Sequence, residues 1–155
     1  MLLHAMKKYQ CIASLFLRLA IAAGFLSAVA DRFGYWGVNG SKGVAWGEWQ
    51  HFVNYTNVLI PFASASLANV FAIVATVAEA GLAVLLILGF YTKLAALCTG
   101  LLGLAFALSM MLTLGIKAPL DYAVFVLSAA GFLLAGMEQY WCSLDAVIAH
   151  SKRKS

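Results

Sequence analysis

Residues 67–91 read LANVFAIVATVAEAGLAVLLILGFY, an apolar run whose only charged side chain is Glu79. At 1.5 Å per residue, about 20 apolar residues in a helix cross the ~30 Å hydrocarbon layer of a bilayer, and this run exceeds that length. Backbone N–H and C=O groups have no water to bond to in lipid, so such a segment is expected to be helical throughout. Immediately beyond it, after Thr92 and Lys93, residues 94–114 repeat the pattern without one charge.

Working outward, two further windows have the same character, residues 9–30 before the run and residues 120–136 after it. The reading is an all-α integral membrane bundle of four transmembrane helices forming one membrane domain over residues 1–155. Its spans are 9–30, 67–91, 94–114 and 120–136. Composition agrees: 64% of the 155 residues are hydrophobic, 10% are charged, and mean hydropathy is +0.92. A soluble domain is about 45–50% apolar and roughly 25% charged, and one core of this size has no room for the excess. Lys7 and Lys8 before the first window and Ala28-Val29-Ala30 at its end resemble a cleavable signal. Arg18 inside the window argues instead for a retained span.

Basic residues set the orientation of a membrane chain. With the N-terminus in the cytoplasm, Lys7, Lys8, Lys93, Lys152, Arg153 and Lys154 fall inside, while Arg32, Lys42 and Lys117 fall outside. Six against three places both termini on the cytoplasmic side of the plasma (inner) membrane. Outside the termini the Lys and Arg residues form no stripe, which argues against nucleic acid as a partner.

The long outer connection, residues 31–66, divides in two. Gly34 to Gly43 is rich in glycine and aromatic residues and reads as loop. Trp46, Trp49, Val53 and Ile60 then recur near helical spacing, with Glu48, Gln50, His51 and Asn54 between them, before Pro61 interrupts. This pattern predicts a short helix lying in the membrane interface, where Trp and Tyr are favoured.

Charges inside a span are where chemistry is sought, because each costs at least ~2.5–3.5 kcal/mol to insert and is expected to pair or face a cavity. Measured from Gln10, Arg18 lies ~12 Å deep, and measured from Tyr91, Glu79 lies ~18 Å deep. An arginine fork spans the remaining ~6 Å and suits a carboxylate, so Arg18 and Glu79 are expected to touch. Such a pair serves either as a ligand site or as a buried ion pair that sets helix register. Asp31, Arg32, Trp49, His51, Tyr55, Lys117 and Asp121 are expected to form a polar and aromatic rim at the outer surface. Within it, Asp121 reads as a carboxylate near the N-terminus of the fourth span. His51, a lone interfacial histidine, reads first as a solvated one.

Other side chains suggest packing. Cys11, Cys98 and Cys142 share no C-x-x-C spacing, fall near the cytoplasmic face and read as small buried residues. No metal site is indicated, and with no histidine inside a span, bound haem is not expected. Gly24, Gly81, Gly100, Gly103, Gly131 and Gly136 are placed to let helix backbones approach.

Several blocks together resemble the DoxX family of small bacterial membrane proteins. They are residues 77–81 (VAEAG), 88–96 (LGFYTKLAA) and 115–121 (GIKAPLD), with Leu17-Arg18-Leu19 and Ser143-Leu144-Asp145 at the ends. The resemblance implies a four-helix membrane bundle. It also implies an accessory subunit of a membrane redox or oxidative-stress assembly, with quinone as the candidate ligand and redox or membrane-complex proteins as partners. A homo-oligomer is compatible with it. The alternative is a non-catalytic scaffold or assembly factor, with a small transporter third. No motif assigns a catalytic residue or decides whether the chain is an enzyme.

Overall fold

The computed structural model describes residues 2–138 and 140–152, which are all-helical with no strand among them. Seven helices follow in order: α1 Leu2–Arg32, α2 Trp49–Leu59, α3 Ala65–Leu88, α4 Thr92–Leu114, α5 Lys117–Asp121, α6 Val124–Ala135 and α7 Leu144–Lys152. Three of them, α1 over Tyr9–Arg32, α3 and α4, are long and apolar enough to cross a membrane.

Local chemistry sets the boundaries of α3. Ser64 caps its start, its hydroxyl accepting the Leu67 N–H at 3.3 Å, as short polar side chains do at helix N-termini. Gly89 ends it in the left-handed region at φ 65°, and the Phe90 N–H turns back to the Leu85 carbonyl at 3.0 Å, the closure that glycine favours. Space also requires glycine here. A Cβ on Gly89 would collide with the Arg18 guanidinium and with Ser143.

α1 runs antiparallel to α3, and α3 turns through Gly89–Tyr91 into α4. The core between them joins Ile21, Ala22 and Phe25 of α1 to Ala83 and Leu86 of α3, Ala95 and Ala96 of α4, and Leu134 and Ala135 of α6. The closest helix approach is between α4 and α6. Ser128 Oγ donates to the Gly100 carbonyl at 2.7 Å, and a Cβ on Gly131 would stand 2.5 Å from the Gly100 nitrogen. Gly100, Gly103 and Gly131 therefore serve the close packing expected of them, whereas Gly24 and Gly81 have nothing within 4 Å of an added Cβ.

Outward faces are apolar too. Val77 is 66% and Leu112 is 80% exposed, and both belong to continuous apolar surfaces on α3 and α4. Exposed apolar area on this scale is an interaction surface, and on helices of this length it is contact with a lipid bilayer.

One expectation changes and another holds. The window at 120–136 is not one helix. α5 ends at Asp121, Ala123 takes left-handed backbone at φ 53°, and α6 begins at Val124. α6 alone has 12 residues, ~18 Å of rise, less than the hydrocarbon thickness. The outer connection does form the expected short helix, α2. It lies against α3, with Phe52 and Val53 buried on Ala72.

Candidate functional site

Among the described residues, a buried ion pair joins Arg32 to Glu79. Arg32 Nη2 lies 2.9 Å from Glu79 Oε1 and 2.7 Å from Oε2, with both side chains 3% exposed. Arg32 Nη1 donates to Thr76 Oγ1 at 2.7 Å, and that hydroxyl passes its own proton to the Ala72 carbonyl at 2.8 Å. Aromatic rings close the outer side. The guanidinium carbon stands 3.7 Å from the Phe52 ring centroid and 5.4 Å from that of Trp46, an arrangement in which ring faces attract a cation.

The expected contact between Arg18 and Glu79 is not formed, and helix geometry gives the reason. Side chains lean toward the N-terminus of their own helix. Across antiparallel α1 and α3, Arg18 therefore leans away from Glu79, while Arg32 and Glu79 lean toward each other. Arg18 sits level with the end of α3 instead. Its Nε donates to the Leu86 carbonyl at 2.8 Å and Nη2 to that of Ile87 at 3.2 Å, while Nη1 reaches the Trp141 carbonyl at 3.1 Å. A cation over the unpaired C-terminal carbonyls of a helix answers both their hydrogen bonding and the helix dipole. Arg18 is thus a clamp tying α1, α3 and the segment before α7.

Two polar atoms at the Arg32–Glu79 pair lack an aligned hydrogen-bond partner. They are Arg32 Nε, a donor, and Glu79 Oε2, an acceptor that lies close to Nη2 but off its N–H direction. Buried polar groups are nearly always satisfied, and here each partner of the ion pair keeps one polar atom without an aligned hydrogen bond.

Asp31, adjacent in sequence, faces the other way. Its carboxylate accepts the backbone N–H groups of Ala45 at 2.9 Å, Trp46 at 3.2 Å and Gly47 at 3.4 Å. That fixes the chain entering α2, and with it the rings over Arg32. Trp49 Nε1 donates to Asn69 Oδ1 at 3.1 Å, tying α2 to α3. His51 Nδ1 lies 3.1 Å from the Trp46 carbonyl, an oxygen that can only accept, and 3.4 Å from Glu48 Oε1. The Tyr55 ring lies 6.2 Å from that of Trp46. Burial, then the Tyr122 hydroxyl, pushes the Tyr55 phenol above its ordinary value.

No family model matches the chain, and neither a curated protein nor a solved structure matches it. The geometry alone therefore sorts the expected rim. Asp31, Trp49, His51 and Tyr55 come together around the cap, and Arg32 lies beneath it inside the bundle instead of on the surface. Lys117 and Asp121 stay outside the group, exposed and paired with each other one helical turn apart. Asp121 ends α5 and caps nothing at α6, whose cap residue is Ala123. The cysteines differ from one another: Cys11 is buried, Cys98 half-buried and Cys142 exposed, all three free. Thr76 and Phe52 complete the site and had no signal of their own. Arg32 had one, since it lies fourteen residues, close to four turns, beyond Arg18 and shares its helix face.

Proposed function

We propose that the chain is a DoxX-like protein of the plasma (inner) membrane that binds the headgroup of a quinone at Arg32–Glu79, as an accessory subunit of a membrane redox assembly. One observation carries this reading: the buried pair leaves Arg32 Nε without a hydrogen-bond partner and Glu79 Oε2, 2.7 Å from Arg32 Nη2, without an aligned donor. A quinol hydroxyl accepts from the first and donates to the second, and the Phe52 and Trp46 rings supply a face for a flat headgroup. The buried charges at bilayer depth support a functional site, since such residues usually mark one.

The bundle in this reading has four crossings, the fourth made by α5 and α6 together over Lys117–Ala135, a stretch of ~28 Å if it runs straight. Both ends face the cytoplasm. With Arg32 withdrawn into the bundle, the outer side keeps only Lys42 and Lys117 against the six inner bases, which sharpens the charge asymmetry. Arg153 and Lys154 lie outside the described residues, as do the side chains of Lys7, Lys8 and Lys152.

A scaffold role is the second reading, and a specific observation favours it. Both terminal nitrogens of Arg32 are occupied and its plane is covered by Phe52, the state of a clamp that is already closed.

The test is extraction of lipophilic molecules from protein purified gently from native membranes, read by mass spectrometry. Near-stoichiometric quinone is expected in the unmodified protein and its loss in Glu79→Gln, with helical content unchanged. A protein that carries no quinone, and whose tryptophan emission is untouched by added short-chain quinone, refutes the binding site and leaves the scaffold.

A further inference from the structure

The C-terminal helix α7 is pinned at one end and, among the described residues, bare along its side. Asp145 takes the Tyr91 N–H on Oδ1 at 2.9 Å and the Thr92 N–H on Oδ2 at 2.8 Å, and its own N–H donates to the Gly89 carbonyl at 3.0 Å. Ser143 Oγ caps the helix by accepting the Ala146 N–H at 3.1 Å, and Arg18 holds the preceding carbonyls of Trp141 and Cys142. These bonds fix the first turn of α7 at the turn between α3 and α4, where two membrane-length helices end.

Beyond that turn no other helix packs closely on α7 among the described residues. Leu144, Val147 and Ile148, spaced i, i+3 and i+4 and so on one face, are 42%, 65% and 41% exposed. Between Leu88 of α3 and Leu144 and Val147 of α7 lies an open, mostly apolar groove of about 540 Å³. The chain then continues Lys152-Arg153-Lys154, and Lys93 is exposed on the same turn. On this side the acids are Asp145, whose carboxylate is occupied by two N–H groups, and exposed Glu138.

We infer that α7 lies on the cytoplasmic bilayer surface, its Leu144–Val147–Ile148 face in the acyl boundary and the terminal bases on anionic lipid headgroups. The pinning decides the occupant. It holds this apolar face at the depth where the spans end, which is where an amphipathic helix meets lipid. Basic residues beside it are drawn to anionic headgroups, each strengthening attachment about fivefold, a gain that salt screens. The inference rests on the membrane placement and orientation proposed above and is independent of any quinone.

Amide hydrogen exchange of the full chain in lipid nanodiscs tests it, comparing phosphatidylcholine discs with discs containing one-third phosphatidylglycerol. Exchange over Ala146–Lys152 is expected to slow in the anionic discs, on the order of a hundredfold if three bases engage. High salt, or Lys152→Gln with Arg153→Gln and Lys154→Gln, should remove the difference between lipids. Val147→Asp with Ile148→Asp should remove protection of α7 in both lipids and leave α3 and α4 protected. Equal exchange in both lipids, unmoved by the aspartates, overturns the inference. So does protection that appears only with two copies per disc, because a second chain then covers the face. Rapid exchange through α3 and α4 as well overturns the membrane placement itself, a result distinct from failure of α7 alone.

Discussion

Replacing Arg32 and Glu79 singly and together by Met measures which residues hold the bundle's buried charge. Arg32→Met removes the donors to Thr76 and Glu79 and leaves a carboxylate buried without a counterion, a loss of about 3–5 kcal/mol. Glu79→Met is milder, about 2–3 kcal/mol, because the stranded guanidinium keeps Thr76 and the Phe52 face, and hydrogen bonds to charged groups contribute about 1.5–3 kcal/mol each. The double variant leaves no charge unpaired. It should cost less than the sum of the singles by about 2–3 kcal/mol, the coupling expected of residues in contact. The matching cycle with Arg18→Met should be additive within about 0.5 kcal/mol. Arg18 bonds at Leu86 and Ile87, seven to eight residues or ~11 Å along α3 from Glu79. Reversible unfolding in mixed detergent and dodecyl sulfate, followed by circular dichroism, gives all the free energies. Coupling between Arg18 and Glu79 that equals or exceeds that between Arg32 and Glu79 would refute the assignment.

Three other outcomes follow from the structure. Gly131→Ala places a Cβ 2.5 Å from the Gly100 nitrogen and 3.0 Å from the Ala96 carbonyl oxygen, so it should cost about 1–3 kcal/mol by forcing α4 from α6. Gly81→Ala, with open space, should gain up to about 1 kcal/mol, and the reverse order in unfolding experiments would exclude this packing. Asp31→Ala should free the three amides at Ala45–Gly47, raising their exchange rates about thirtyfold, equivalent to ~2 kcal/mol, and shift tryptophan emission to the red. Unchanged exchange there would show that another group holds the cap. The Tyr55 and Tyr140 phenols are both raised above their ordinary values, first by burial and then by Tyr122 and Asp145 respectively. The folded state therefore holds these protons more tightly than the unfolded chain. Stability should be level below the ordinary phenol value near ~10 and fall as pH rises past it, less steeply in Tyr55→Phe, and equal steepness in that variant would remove Tyr55 from the account.

The long helices were legible because their signal is length and apolarity, which the hydrocarbon layer dictates without reference to neighbours. Residues 67–91 and 94–114 correspond to α3 and α4 with ends moved by at most three residues. The break at Tyr122–Ala123 was not legible, since neither glycine nor proline stands there. The site was half legible. Glu79 is visible as the single charge in its span, but its partner depends on how far α1 slides along α3. A depth counted from Gln10 assumed that α1 begins at the membrane boundary, whereas the helix starts at Leu2 and Arg18 lies level with the end of α3.

Sliding α1 in this way gives two consecutive residues opposite tasks. Successive helical residues are turned by about 100°, so Asp31 and Arg32 at the end of α1 address different neighbours. Asp31 grips the loop that carries Trp46, and Arg32 grips α3 through Thr76 and Glu79. The ring of Trp46 in turn lies near Arg32 and meets Phe52 at 5.1 Å. The outer cap and the buried pair are therefore joined twice, through the last turn of α1 and through the aromatic rings. Neither half can shift far without straining the other. The proposed ligand at Nε and Oε2 would be felt first by Phe52 and Trp46, the rings nearest the guanidinium, and only through them by the Gly-rich loop outside.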